Sequence, residues 1–247
     1  VFSSGLMQPS ISIQQQETLT RVNTFVRGVY TWMTMGLALT GATAWFVVNS
    51  PLINLFFKAT PDGGASPSLI FYAVMISPII LAITLSARIH KMQASTATFM
   101  FLLYAVLMGA FLSVILLMYS GSSIAQVFFI CSGTFAACSI YGWATKKDLT
   151  SVGSFMTMGL IGILIASVVN IFFRSPMMDM VISYIGVIVF VGLTAYDTQK
   201  LKAMALAMPA DLDAAVIRKG TIQGALTLYL DFINLFIMLL RIFGQRD

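Results

Sequence analysis

Apolar residues in this chain do not alternate with polar ones; they run in long blocks separated by brief polar connections. A bilayer core of about 30 Å is crossed by roughly 20 mostly apolar helical residues. Seven blocks meet that length: Val29–Val48, Leu69–Ala87, Thr96–Tyr119, Ser123–Ala144, Gly153–Phe173, Met177–Tyr196 and Thr221–Phe243. The pattern predicts an all-α integral membrane bundle of seven transmembrane helices. Turn residues punctuate the connections: Pro51 and the stretch from Pro61 to Pro67 with Gly63 and Gly64, then Ser120-Gly121-Ser122, then Ser175-Pro176. The sixth connection, about Asp197–Gly220, is long enough for some structure. Pro209 ahead of Asp211 and Asp213 suits a helix N-terminus, so the last helix is expected to begin outside the lipid.

Residues 1–28 form a separate polar segment, with Gln14, Gln15, Gln16 and Glu17. They lack the apolar core and small-residue cleavage site of a secretory signal. The spacing of Ile11, Ile13, Leu19, Val22 and Val26 fits a weak amphipathic helix at the membrane surface, and a disordered tail fits equally. The domain reading is therefore a tail or interfacial helix over 1–28 and a transmembrane domain over 29–247.

Composition agrees with lipid as the solvent. The chain is 58% hydrophobic and 9% charged, whereas soluble domains run nearer 45–50% and about 25%. Its basic residues are distributed unequally. Arg21, Arg27, Arg88, Lys91, Lys146, Lys147, Lys200, Lys202, Arg218 and Lys219 fall on the N-terminal side; Lys58, Arg174, Arg241 and Arg246 fall on the other. The expected orientation puts the N-terminus in the cytoplasm and the C-terminus outside. Anchoring of this kind accounts for the net charge of +5 without any nucleic-acid partner. Cys131 and Cys138 share one helix face about 10 Å apart, beyond disulfide reach, and read as small packing residues.

Candidate chemistry rests on two carboxylates, Asp197 near the end of the sixth block and Asp231 well inside the seventh. A carboxylate at membrane depth needs a partner, a proton or water. On the seventh helix Gly220, Gly224, Thr227, Asp231 and Asn234 make one small and polar stripe; Gly159, Gly162, Ala166 and Asn170 match it on the fifth. On the sixth, Ser183, Gly186, Phe190, Thr194 and Asp197 keep the same rhythm. Such stripes ordinarily mean close helix packing. The sharper reading is that Asp197 and Asp231 point into a shared interior, although Asp197 is expected one to two turns, about 5–10 Å, nearer the interface. Carboxylates that meet in a low dielectric share a proton and titrate in two separated steps, the upper of which can approach physiological pH. Deprotonated, the pair offers a weak, water-completed Ca²⁺ site, since that ion prefers six to eight oxygens. Arg88 is the candidate charge partner.

The stretches Ile185–Leu201 (IGVIVFVGLTAYDTQKL) and Leu228–Phe236 (LYLDFINLF), together with Ser139–Gly153 (SIYGWATKKDLTSVG) and the Asn170 region, resemble the Bax inhibitor family of transmembrane Bax-inhibitor-motif proteins. The likeness runs from about Arg21 onward and looks like a bacterial member, which implies the inner (plasma) membrane. The resemblance implies a seven-helix bundle with a central last helix wrapped by the other six. It implies a pH-sensitive Ca²⁺ leak with Asp197 and Asp231 as a di-aspartyl latch, engaged by Arg88, and with Ca²⁺ as transported ion rather than cofactor. It also implies, alternatively, a membrane adaptor modulating a membrane-bound protease. One departure is the alanine-rich stretch Ala203–Lys219, which looks longer than in compact members.

Other seven-helix classes fit poorly. A retinal protein needs a lysine in its last helix, and none follows Thr221. A metalloenzyme or histidine-dependent hydrolase needs bundle histidines, and the one histidine, His90, lies in a connection. An intramembrane aspartyl protease would share Tyr196-Asp197, but Asp231 follows Tyr229 and Leu230 with no glycine motif. The chain is expected to be no enzyme.

Overall fold

The computed structural model describes residues 8–59, 65–209 and 211–245. Seven of its helices are long and apolar enough to cross a membrane. They are α1 (Gln8–Val48), α2 (Leu69–Arg88), α3 (Ala94–Leu116), α4 (Gly121–Ala144), α5 (Thr150–Phe173), α6 (Pro176–Leu206) and α7 (Ala214–Phe243). Short 3-10 turns follow α1 and α2, at Pro51–Leu55 and Ile89–Lys91. Strands β1 (Phe57–Ala59) and β2 (Ala65–Pro67) form an antiparallel hairpin, with Lys58 opposite Ser66. The sequence pattern read that segment only as a connection. Its turn residues Pro61, Gly63 and Gly64 lie outside the described residues, as do Arg246 and the side chains of Ile11, Ile13 and Gln14.

Helix starts follow the serine and acid signals. Ser68 accepts from the Phe71 N–H, Ser120 from Ser123 and Ser175 from Met178, with Pro176 in the first turn of α6. Asp213 caps α7 by accepting from the Ala215 N–H at 2.6 Å. α5 ends where Arg174 turns left-handed at φ 49°, and the Asn170 side chain bonds across that turn to Ser175.

Two boundaries differ from expectation. α1 is continuous from Gln8, so the polar segment and the first span are one helix. α6 runs on to Leu206, which corrects the reading of Asp197–Gly220 as a connection: only 207–213 separate α6 from α7. The reason is the residues themselves. Lys200, Lys202, Ala203, Met204, Ala205 and Leu206 are good helix formers, and charge at a membrane surface ends the apolar block without ending the helix. Asp197 thus lies well inside α6, and most of the Ala203–Lys219 departure is helical.

α7 is the axis of the bundle. It packs against α1, α2, α3, α4 and α6, and Ile222, Ala225, Leu228, Tyr229 and Leu235 are fully enclosed. α5 packs chiefly on α6. Phe155, Ile165, Phe172 and Ile188 face outward into the lipid.

Candidate functional site

Four consecutive residues of α6, Tyr196 to Gln199, each bind a different neighbour. The Tyr196 ring lies on Gly153 of α5, where a β-carbon would overlap it. Thr198 Oγ1 is 3.4 Å from the Tyr30 hydroxyl of α1 and 3.5 Å from Ser139 Oγ of α4. Gln199 grips the α4–α5 connection twice: its Oε1 accepts from the Leu149 N–H and its Nε2 donates to the Lys147 carbonyl, both at 2.8 Å. A turn further on, Lys202 donates to the Trp143 carbonyl at 2.7 Å and sits 5.0 Å over that indole. Gly142 of α4 meets the Ala195 carbonyl so closely that no β-carbon fits. The segment is therefore held on every side but one.

The remaining side is Asp197, which faces α7. Its carboxyl lies within hydrogen-bonding reach of the Asp231 carboxyl. Asp231 is 5% exposed, and its Oδ2 has no hydrogen-bond partner. Two carboxyls in that position make one bond only if a proton lies between them. Asp197 is half-buried, and the charge that bears on it most is the ammonium of Lys200, itself 5.8 Å over the Tyr196 ring. The helical register of α6 and the short α6–α7 connection remove the offset expected from the sequence.

The other sequence candidates fall at varied distances from this centre. Arg88 is exposed at the last residue of α2, and Lys200 is the cation beside the pair. Thr227 and Asn234 spend their polar groups on their own helix, donating to the Gln223 and Leu230 carbonyls. Gly224 admits Leu201 and Val29 against α7. The α5 stripe divides: Gly159 admits Val189 of α6, Gly162 faces open space, and Asn170 donates to Asp179 at 2.7 Å near the far membrane face. Cys131 is buried, Cys138 is half-buried, and both are free thiols.

Sequence reasoning missed the partners that position the pair. Tyr30, Ser139, Gln199 and Lys200 carry no signal of their own at their positions; only packing reveals them. Beside the Tyr30 and Ser139 hydroxyls, a cavity of about 530 Å³ opens between α1 and α4, floored by Phe135 and Phe232. Deeper in the bundle, the Tyr229 hydroxyl is 2.6 Å from Thr40 Oγ1, which is 2.9 Å from the Ala105 carbonyl, tying α7 to α1 and α3.

Outside the lipid, Asp148 accepts from the Thr150 hydroxyl at 2.6 Å and the Thr150 N–H at 2.9 Å. These bonds hold its carboxyl below the usual carboxylate range. No three His, Cys, Asp or Glu side chains gather as metal ligands among the described residues.

Comparison with known proteins assigns this architecture. Residues 22–247 match the family described as "Inhibitor of apoptosis-promoting Bax1". The chain is 44% identical over 245 residues to the inner membrane protein YbhL of Escherichia coli K12, covering 99% of this chain and 97% of that protein. It is 43% identical over 219 residues to a protein of Rickettsia prowazekii, covering 88% of each. A protein of Borreliella burgdorferi is 39% identical over 233 residues, 94% of this chain and 96% of its own length. The chain belongs to the Bax inhibitor family of integral membrane proteins.

Proposed function

We propose that the protein is a proton-gated cation leak of the membrane, passing Ca²⁺, with Asp197 and Asp231 as its latch. The observation that supports this is the buried carboxyl pair, in which Asp231 Oδ2 has no hydrogen-bond partner. One shared proton makes the pair a bond between α6 and α7. Loss of that proton sets two like charges against each other in a poor solvent for charge, and the helices are driven apart. Addition of a second proton removes the charge that strengthens the bond. Flux should therefore be least where the pair holds one proton and should rise on either side.

The same oxygens, once separated, attract a hard cation. Two carboxylates are too few to retain Ca²⁺, which suits passage better than storage. The cation is thus cargo, and Lys200 beside the pair limits how long it stays. Arg88, at the mouth of α2, is proposed as a second charge that meets the latch when the helices move.

The test is flux from liposomes loaded with a Ca²⁺-sensitive dye, recorded against pH for the wild type, Asp197→Asn and Asp231→Asn. Either substitution should flatten the pH dependence. Wild-type protein that leaks no faster than empty liposomes at every pH would overturn the channel reading. The adaptor of a membrane-bound protease would then take its place.

A further inference from the structure

A second cavity, of about 560 Å³, lies at the opposite end of the α6–α7 seam from the basic connections. Asp179 and Ser183 of α6 line it, with Ile237, Leu240 and Arg241 of α7 and Tyr119 at the end of α3. Its mouth carries both charges. Asp179 and Arg241 are exposed, and one oxygen of Asp179 accepts from buried Asn170. Its floor is different: Ser183 is fully buried and turns its hydroxyl back to the Asp179 carbonyl. The end of α7 is held there, because the Gln245 N–H donates to Ser123 Oγ and the Gln245 carbonyl accepts from the Ser120 N–H.

Below the floor the same face of α6 continues through Gly186, Phe190 and Thr194 to Asp197. Phe190 is 3% exposed and Thr194 is fully enclosed. The step between cavity and seam is Gly186, against which the Met238 side chain lies. A β-carbon on Gly186 would stand 2.9 Å from both Cγ and Sδ of Met238. Met238 is 8% exposed. A methionine has three rotatable bonds and no branch, so it leaves and refills a gap at small cost. An ion or water descending from the cavity meets this thioether before it meets any buried carboxyl.

We infer that this cavity is the vestibule of the ion path on the C-terminal face, and that Met238, seated on Gly186, is the plug separating it from the Asp197–Asp231 pair. The inference rests on the leak reading above. The path then has two closures in series, an apolar plug and a protonated latch. When the latch parts α6 from α7, Met238 leaves its seat and ions pass, so flux needs both closures to open. Asp179 draws cations to the mouth, and Arg241 sets a limit on that attraction.

The test separates accessibility from transport. Ile237→Cys and Thr194→Cys proteins in phospholipid nanodiscs are treated with a charged, water-soluble thiol reagent, and labelling is measured over the wild-type protein with its native cysteines. Ile237→Cys, half-buried in the cavity wall, should label several-fold faster than wild type, and Thr194→Cys should not. Adding Met238→Ala should bring Thr194→Cys up several-fold, and Met238→Leu should leave it protected. An unlabelled Ile237→Cys protein that retains the wild-type melting temperature overturns the vestibule. Thr194→Cys labelling that is equal with and without Met238→Ala overturns the plug. In liposomes Met238→Ala should raise flux several-fold. If labelling behaves as stated while no variant passes Ca²⁺, the leak reading has failed and the water-filled vestibule stands without it.

Discussion

α7 and α5 are both apolar helices marked by a stripe of small and polar residues, and the bundle treats them oppositely. Within their most apolar windows, 61% of α7 is buried against 11% of α5, although α5 is the more hydropathic of the two. In water the order would be reversed. In lipid an apolar side chain is as well placed outside as inside, so hydropathy does not choose which helix becomes the core. Polar groups and close-fitting shapes choose it. α7 carries Asp231, Tyr229 and Gly224, whose partners lie on α6 and α1; α5 carries glycines of which one faces nothing.

The sharpest break of this comparison is steric. Gly142→Val places a side chain where the Ala195 backbone stands, and only the backbone can yield. Overpacking costs about 1–3 kcal/mol, and with no side chain to give way the upper end or more is expected, read as a lowered melting temperature in detergent. Next comes Gln199→Ala, which removes both bonds to the α4–α5 connection. Two such bonds are worth about 2 kcal/mol, and amide exchange in residues 145–150 should accelerate.

Tyr229→Phe should cost about 1 kcal/mol through the lost bond to Thr40, whereas Tyr104→Phe, whose buried hydroxyl has no partner, should cost nothing or stabilise slightly. The two tyrosines stack edge to face at 5.3 Å, so the pair isolates the hydroxyl from the ring. A smaller effect sits at the head of α5. The Asp148 carboxyl is held low by Thr150, so its contribution is complete above the ordinary carboxylate range and is lost as pH falls through the depressed value. Asp148→Asn should therefore speed amide exchange in the first turn of α5 at neutral pH and make no difference in strong acid. Smallest is Gly162→Ala, which has open space around it and should stay within about 0.5 kcal/mol, a change in melting temperature near the error of the measurement.

The span count and the identity of the two carboxylates were legible in the residues, because a bilayer demands long apolar blocks and makes a buried acid conspicuous. Boundaries set by polarity were less legible. Lys200 and Lys202 end an apolar block, but they are good helix formers whose heads reach the surface, so α6 passes beneath them to Leu206. The same effect hid the true depth of Asp197. The α5 stripe showed the opposite error, since a glycine spacing marks an opportunity for packing and does not say whether a neighbour takes it.

Sequence by itself determined that this protein lives in lipid, crosses it as helices and keeps two acids near its centre. Those properties follow from local chemistry, which each residue carries wherever it sits. The tertiary structure decided that Asp197 meets Asp231, that the Lys200 charge bears on Asp197, that Gln199 and Thr198 hold the segment still, and that Met238 lies on Gly186. Contacts of this kind depend on the rotation and depth of one helix against another, and small shifts in either exchange one set of partners for another.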